Sequence, residues 1–546
     1  MKIILNGQET EVDEGKLPFE IWKNEIEASG HSFIACNINH EVKSLKHTLK
    51  EGDQITLLNR ADRDGNAIYI RGILYVMAMA FHRKYPEIRL TVKYQLSGAM
   101  LCEGENAEVT EEMLEKVKEE MQKIIDADLP IKKIAMTKEE AEAFYEKEKT
   151  VRGKLQLNNK AKEQVSLYFC EEYYNYFFGV MPISTGFLPF FDLENYRDGF
   201  LVRYPSRKDP DCISRYQETR KLQRTMEEYE DIHRILKINT VYRLNRMIEK
   251  GNAKEMILLA EALHEKKIAE IANQIIERNG IRMILIAGPS SSGKTTFAKR
   301  LGIQLRLNGL KPVTISVDNY FVERPETPRD ENGNYDFECI EAIDLELFNN
   351  HLKALLNGET IQVPTFDFYH GTKEYKGNTM HLAEDEILVI EGIHCLNDQL
   401  TAEIPKDIKY KVYISDLTVL NVDDFNRIST TDTRLIRRIV RDHQFRGYDA
   451  CHTLKAWESV GKGEKKYIFP FQEQADSMFN SSLIYEMAAL KDIAIPLLQA
   501  IPREEPEFAE AKRLIALLQY FEGFDHNLIP KNSLLQEFLG DSIFDY

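Results

Sequence analysis

The sequence predicts a multidomain α/β protein whose second half is a parallel sheet covered on both faces by helices. Three observations carry this. At 546 residues the chain is far longer than a usual single domain and must divide into several cores. In the second half four apolar runs, MILIA (283–287), VTISV (313–317), ILVI (387–390) and YKVYI (410–414), alternate with stretches of amphipathic helical period. In the first sixty residues shorter strand-like runs, MKIIL, FIACNIN and DQITLLN, surround one helical segment, PFEIWKNEI, the pattern of a small β-grasp unit.

Composition narrows the functional classes. Hydrophobic residues are 43% of the chain and charged residues 29%, which is globular and excludes a largely disordered protein. The balance of 71 basic against 88 acidic residues, −17, excludes a whole-surface footprint for nucleic acid or anionic membrane, so any polyanion site is local. Seven cysteines with no CxxC pair fit neither a disulfide framework nor a zinc cluster. The opening MKIILNGQETEVDEG lacks an apolar signal core, and no run approaches the roughly 18 apolar residues of a membrane span. The expectation is a cytoplasmic protein without membrane partners and without nucleic acid as its main partner; a homo-oligomer is left open.

Along the chain the expected units are residues 1–60, 62–212, a helical connector over 213–280, a sheet domain over 281–500 and a helical segment over 501–546. In the connector, Leu222, Met226 and Tyr229, then Ile268, Ile271 and Ile275, recur at three-to-four spacing.

The chemistry lies where the apolar strands end. Gly288, Pro289, Ser290, Ser291, Ser292, Gly293, Lys294 and Thr295 directly follow the first strand and, with Thr296, open a helix, the context that confirms a Walker A loop. Its glycines let backbone N–H groups turn inward around phosphates, Lys294 brings a charge to the terminal phosphate, and the Thr295 hydroxyl can hold Mg²⁺. The second strand delivers Asp318, placed to accept a proton from an incoming hydroxyl. The third ends in Glu391, an acid positioned to orient Mg²⁺ or its waters. Arg434, Arg437, Arg438 and Arg441, at i, i+3, i+4 and i+7, share one helix face; four guanidinium groups so placed repel unless an anion neutralises them, as a triphosphate would.

In this order the motifs resemble the uridine kinase family, which belongs with phosphoribulokinase, over roughly residues 281 to 500. The matching stretches are GPSSSGKTT, SVDNYF, NYDFECIEAIDLELF, VPTFDFYHGTKEY, VIEGI and DTRLIRRIVRD. The resemblance implies a P-loop kinase that uses ATP and Mg²⁺ to phosphorylate the 5′-hydroxyl of a small-molecule nucleoside, uridine or cytidine. It implies Asp318 as base, Tyr320 as a substrate-pocket aromatic, and the four arginines as a catalytic lid over ATP. The family's ribose-binding aspartate precedes a proline-containing run. Here NYDFECIEAID lacks the proline and is two residues longer, which leaves Asp336 or Glu338, with Asp336 favoured. The base-reading loop is implied to use Phe366, Phe368, Tyr369 and His370, at altered spacing.

The amino-terminal half carries two further resemblances. Residues 1–60, through the segment Leu45 to Ile55, resemble a TGS domain of the threonyl-tRNA synthetases. Residues 62–212, chiefly through EVTEEMLEKVKEEMQKIIDADLPIKKIAMTKEEAEAFYE, resemble the second additional, editing domain of those enzymes. The family's metal-type set of two histidines on one helix and a later Cys-x-x-x-His is replaced here by Gly72, Val76, Cys170 and Tyr174, so the expectation is a scaffold without hydrolytic activity. Two alternative functions follow from these likenesses: a kinase for another small hydroxyl acceptor, and an ATP-dependent tRNA-binding or regulatory factor. Residues 1–60 hold 7 basic and 10 acidic side chains, which weighs against the latter.

Overall fold

The computed structural model describes residues 1–147, 152–157, 164–213, 215–330, 333–367 and 370–545. Its second half is built on a five-stranded sheet in the order Lys311–Ser316, Glu386–Glu391, Met283–Ala287, Lys409–Ser415, Ser477–Asn480, with every pairing parallel. The strand Met283–Ala287 lies in the middle, and all five of its residues are buried because both faces are covered. Its side chains alternate accordingly. Ile284 and Ile286 pack with Phe297, Leu301, Ile268 and Ile271, whereas Met283 and Leu285 pack with Phe348 and Leu352 on the opposite face. Pro312, which cannot donate to a ladder, sits in the edge strand.

The connections leave the central strand in both directions. The chain runs outward to Lys311–Ser316, returns to Glu386–Glu391, then crosses to Lys409–Ser415 on the other side. This reversal opens a crevice beyond the carboxyl ends of the strands, where an open α/β sheet binds its ligand.

The first sixty residues form a five-stranded sheet in which Lys2–Leu5 pairs parallel with Gln54–Asn59 and the other pairings are antiparallel. The long helix Arg63–Lys84 follows, its middle buried against a four-stranded antiparallel sheet and the three-stranded sheet that contains Gln164–Cys170. The helices Arg220–Leu236, Val241–Glu249 and Ala253–Glu277 then lead into the second half. Among the described residues no helix is long and apolar enough to cross a membrane.

The halves are stitched together by the segment 416–429, which leaves the strand Lys409–Ser415 and leads into the helix Thr430–Arg446. Val92 N–H donates to Asp424 O (2.8 Å), Asn421 Nδ2 donates to Val92 O (2.8 Å), and Phe178 N–H donates to Asn426 Oδ1 (2.7 Å). Arg89 pairs with the buried Asp424 (3.0 Å), and Phe425 belongs to the amino-terminal core. From the connector, Met226 and Tyr229 pack with Tyr94 and Leu201 of the first half and with Leu417 of the second.

Candidate active site

The P-loop is shaped by close approach. At Gly288 a Cβ would fall 2.1 Å from the Ile414 carbonyl oxygen of the adjacent strand, so only glycine lets the loop leave the sheet there. Gly293 has φ +83° and caps the helix Lys294–Leu307, and a Cβ on it would meet Leu534 at 2.4 Å. Pro289, Ser290, Ser291 and Ser292 form the arch between them; Ser291 and Ser292 are buried. Lys294 Nζ folds back onto the carbonyl oxygens of Gly288 (3.0 Å) and Pro289 (3.2 Å). Thr295 is half-buried in the first helical turn, beside the buried Thr296.

Two carboxylates face this lysine. Asp318 is open to solvent in the crevice, yet the protein atoms crowded around it raise its carboxyl above the usual range; Lys294, Arg446 and Arg441 pull it back down. Glu391 is half-buried at the end of its strand and accepts from Ser316 Oγ (3.0 Å). Burial, then the charge of Asp318, pushes it up to about 7 against the opposing pull of Lys294. Glu391, raised by the charge of Asp318, and the Thr295 hydroxyl at the start of the P-loop helix are hard oxygen donors, and a divalent cation would relieve the repulsion that Glu391 feels.

The arginine helix Thr430–Arg446 corrects one expectation. For Arg434 and Arg437 no external anion is needed, because carboxylates distant in sequence already neutralise them. Arg434 is buried, pairs with Glu464 through two donors (one at 2.8 Å) and donates to Ser290 O (3.2 Å). Arg437, fully buried, donates to Glu486 (Nε, 2.6 Å) and to Ser481 O (2.9 Å), with Ser291 O at 3.4 Å and Asp416 at 3.6 Å. These two hold the arch of the P-loop from behind. Arg438 and Arg441 remain on the cleft side, half-buried, sharing Asp442; Arg438 also donates to Ser290 Oγ (3.0 Å).

The substrate-side expectations divide. Tyr320 is not a pocket wall. Its ring is fully buried against Phe348 (4.8 Å between ring centres) and its hydroxyl meets His351 Nδ1 (3.0 Å), because the short helix Val317–Tyr320 turns it into the core. Phe366 likewise packs inward beside Phe321 and is 8% exposed, so its ring is not presented to a base. His370 sits at the tip of the hairpin Thr365–Asp367/Thr372–Glu374, exposed, with Nδ1 2.6 Å from Asp367 Oδ2. Phe368 and Tyr369 lie outside the described residues. Asp336 accepts from Tyr467 Oη and from Glu338 N–H, both at 3.1 Å. Glu338 is raised to about 7 by burial and then by Glu464; Arg438 and Lys294 lower it and Asp318 raises it further, so it shares the field of the P-loop.

Sequence reasoning missed Arg446, whose charge reaches Asp318 and which stands eight residues beyond Arg438 on the same face, a spacing visible in the sequence. It also missed Glu464 and Glu486, which no local pattern announces.

A match to the phosphoribulokinase / uridine kinase family spans residues 283–485. The uridine kinase of Deinococcus deserti is 30% identical over 195 residues, 36% of this chain and 84% of that protein. The chain belongs to the phosphoribulokinase / uridine kinase family. Two more uridine kinases align at similar depth: that of Mycoplasma pneumoniae, 28% identical over 215 residues (39% of this chain, 92% of that one), and that of Halobacterium salinarum, 27% identical over 192 (35% and 76%). The second half is therefore a kinase-family, nucleotide-binding phosphotransferase domain, and residues 1–282 fall outside the family match.

A cavity of about 740 Å³ lies apart from this site, between the four-stranded sheet, the helix Arg220–Leu236 and the segment 419–423. Several of its charges are already paired, Lys93 with Glu103 and Glu230 and Arg197 with Glu227, and no P-loop residue lines it.

Proposed function

We propose that the protein transfers the γ-phosphoryl group of ATP to the 5′-hydroxyl of a nucleoside, uridine or cytidine. The observation that carries this is Asp318, a solvent-open carboxylate in the electrostatic reach of the Walker A lysine Lys294. Asp318 accepts the proton of the attacking hydroxyl. Lys294 turns from the loop carbonyls onto the phosphate, and Arg438 and Arg441 stabilise the charge spread over the transferred group. Thr295 and Glu391 would hold Mg²⁺, which would neutralise charge on the phosphate oxygens. For the sugar hydroxyls the site offers Asp336 and Glu338; the field that Glu338 shares with Asp318 and Lys294 supports it over the Asp336 favoured by the sequence. A coupled assay of ATP with a panel of nucleosides and sugars tests the reading, and it fails if no nucleoside is phosphorylated.

The burial of Tyr320 and Phe366 favours a second reading, a different small hydroxyl acceptor, since neither aromatic is presented to stack on a base. The same panel separates the two. The assignment of residues 1–60 and 62–212 to TGS-like and synthetase-like domains, with 213–280 as connector, 281–500 as kinase and 501–546 as a terminal segment, stands as part of this proposal and rests on the residue patterns of those stretches.

A further inference from the structure

We propose that the carboxyl-terminal segment 530–540 is a built-in competitor of the nucleotide, with the Glu537 carboxylate seated where the P-loop helix receives phosphate. The inference rests on the reading of Gly288–Thr295 as the ATP site. Glu537 Oε2 accepts from Thr296 Oγ at 2.6 Å and from Thr296 N–H at 3.3 Å, across 241 residues of sequence. Thr296 is the third residue of its helix, and its N–H is one of those that a helix leaves without an internal partner. Donors of this kind at the positive end of a helix bind phosphate oxygens. A carboxylate oxygen has the same charge sign and accepts the same hydrogen bonds, so it and a nucleotide phosphate cannot both occupy the place.

The segment is built to stay near. Leu534, Leu535 and Phe538 are fully buried, Leu534 against Gly293 of the P-loop itself. The Arg437 guanidinium lies 5.2 Å from the Phe538 ring centre, and Ser533 Oγ is 3.3 Å from the Tyr485 hydroxyl. Residue 537 is thereby held at high effective concentration over the phosphate seat while its own side chain remains at the edge, 9% exposed. Lys294 is engaged in the same way, on the carbonyls of Gly288 and Pro289. The loop is closed on the protein's own groups, and a nucleotide enters by displacing Glu537. Its apparent affinity is the intrinsic one reduced by the fraction of chains in which the seat is free.

The test uses the full chain. Glu537→Gln and Glu537→Ala are expected to bind ATP and ADP on the order of tenfold more tightly than wild type by titration calorimetry, the worth of one displaced charge-assisted hydrogen bond. Glu537→Asp, which keeps the charge, is expected to stay closer to wild type. In hydrogen exchange, the amides of 533–540 are expected to open when the wild-type chain is saturated with nucleotide. Unchanged or weaker affinity in both neutral variants at wild-type melting temperature, or amides of 533–540 protected by nucleotide, overturns the proposal. A chain that binds ATP yet phosphorylates no nucleoside leaves it standing and sinks only the function proposed above. Absence of ATP binding in wild type and Glu537→Gln alike sinks both.

Discussion

Arg434 and Glu464 form a buried two-donor ion pair, and Glu464 also accepts the backbone N–H of Ser290 at 3.1 Å. One carboxylate thus ties the arginine helix, the helix Ala450–Tyr467 and the P-loop to a single point. Glu464→Ala should destabilise the fold by about 3–5 kcal/mol, because it strands a charge in the interior. Replacing both partners with apolar residues should recover much of the loss. Urea denaturation measures both, and a loss below about 1 kcal/mol for the single variant would show that the pair does not hold the loop.

Arg438 and Arg441 should behave in the opposite way. Both are half-buried on the cleft side and share Asp442, and their removal strands no fully buried carboxylate without a remaining cation, since Arg446 also faces Asp442. Arg438→Ala or Arg441→Ala should lower turnover on the order of 10²–10³-fold for the better-placed of the two, with little change in melting temperature. Full activity in both variants, or loss only through unfolding, would assign the helix a structural part alone.

Asp318→Asn should lower kcat by roughly 10²–10⁴-fold while ATP affinity stays near wild type. Steady-state kinetics beside direct ATP titration decide it. Near-normal turnover would pass the proton to another group, of which Glu338 and Glu391 are in electrostatic reach.

At residues 72, 76, 170 and 174, the positions of the synthetase-type metal set, the described side chains do not form a donor set for zinc. Gly72 packs under Leu188 and Pro182, Val76 is fully buried, Cys170 is buried with its thiol pushed up to about 11 by burial, and the Tyr174 hydroxyl donates to Phe144 O (2.9 Å). Metal analysis of protein purified without added zinc should find less than one per chain, and mischarged threonyl-type tRNA should not be hydrolysed. Stoichiometric zinc would refute this.

His264 supplies a pH test of the junction between the connector and the kinase half. It is fully buried, its Nε2 lies 3.1 Å from Ser482 O, and burial followed by the charge of Arg300 lowers its pKa to about 3. Below the unfolded value of about 6.5 the unfolded chain takes up a proton that the folded chain refuses, so this residue costs stability as pH falls, about 1.4 kcal/mol per pH unit. His264→Gln should therefore lose less stability than wild type between pH 7 and pH 5 in parallel denaturant titrations. Equal losses would mean that the ring is protonated in the fold.

Much of the site was legible in the sequence because it is local. The P-loop, Asp318 and Glu391 each follow an apolar run whose continuity marks a buried strand, and the motif follows within a few residues. The strand Ser477–Asn480 was not legible: its four residues carry polar ends, and its pairing is set by Val412–Ser415 rather than by its own pattern. The arginines show the same division. Their spacing placed them on one helix, but whether each faces a ligand or a carboxylate depends on Glu464, Glu486 and Asp416, brought in by tertiary folding. Tyr320 and Phe366 were misread for a related reason, since an aromatic beside a motif has the same appearance in sequence whether it turns toward the crevice or the core.

The segment 416–429 makes the unit of folding longer than the unit of family likeness. A fragment cut at residue 281 would keep every motif of the kinase and still lose Val92, Arg89 and Tyr176, the partners that hold this segment, baring Phe425 to water and leaving Asp424 without its cation. The first turn of the arginine helix would then start from a slack tether. The boundary that ancestry draws at the first strand of the sheet is thus not a place where this polypeptide can be divided without consequence for the helix whose arginines hold the P-loop.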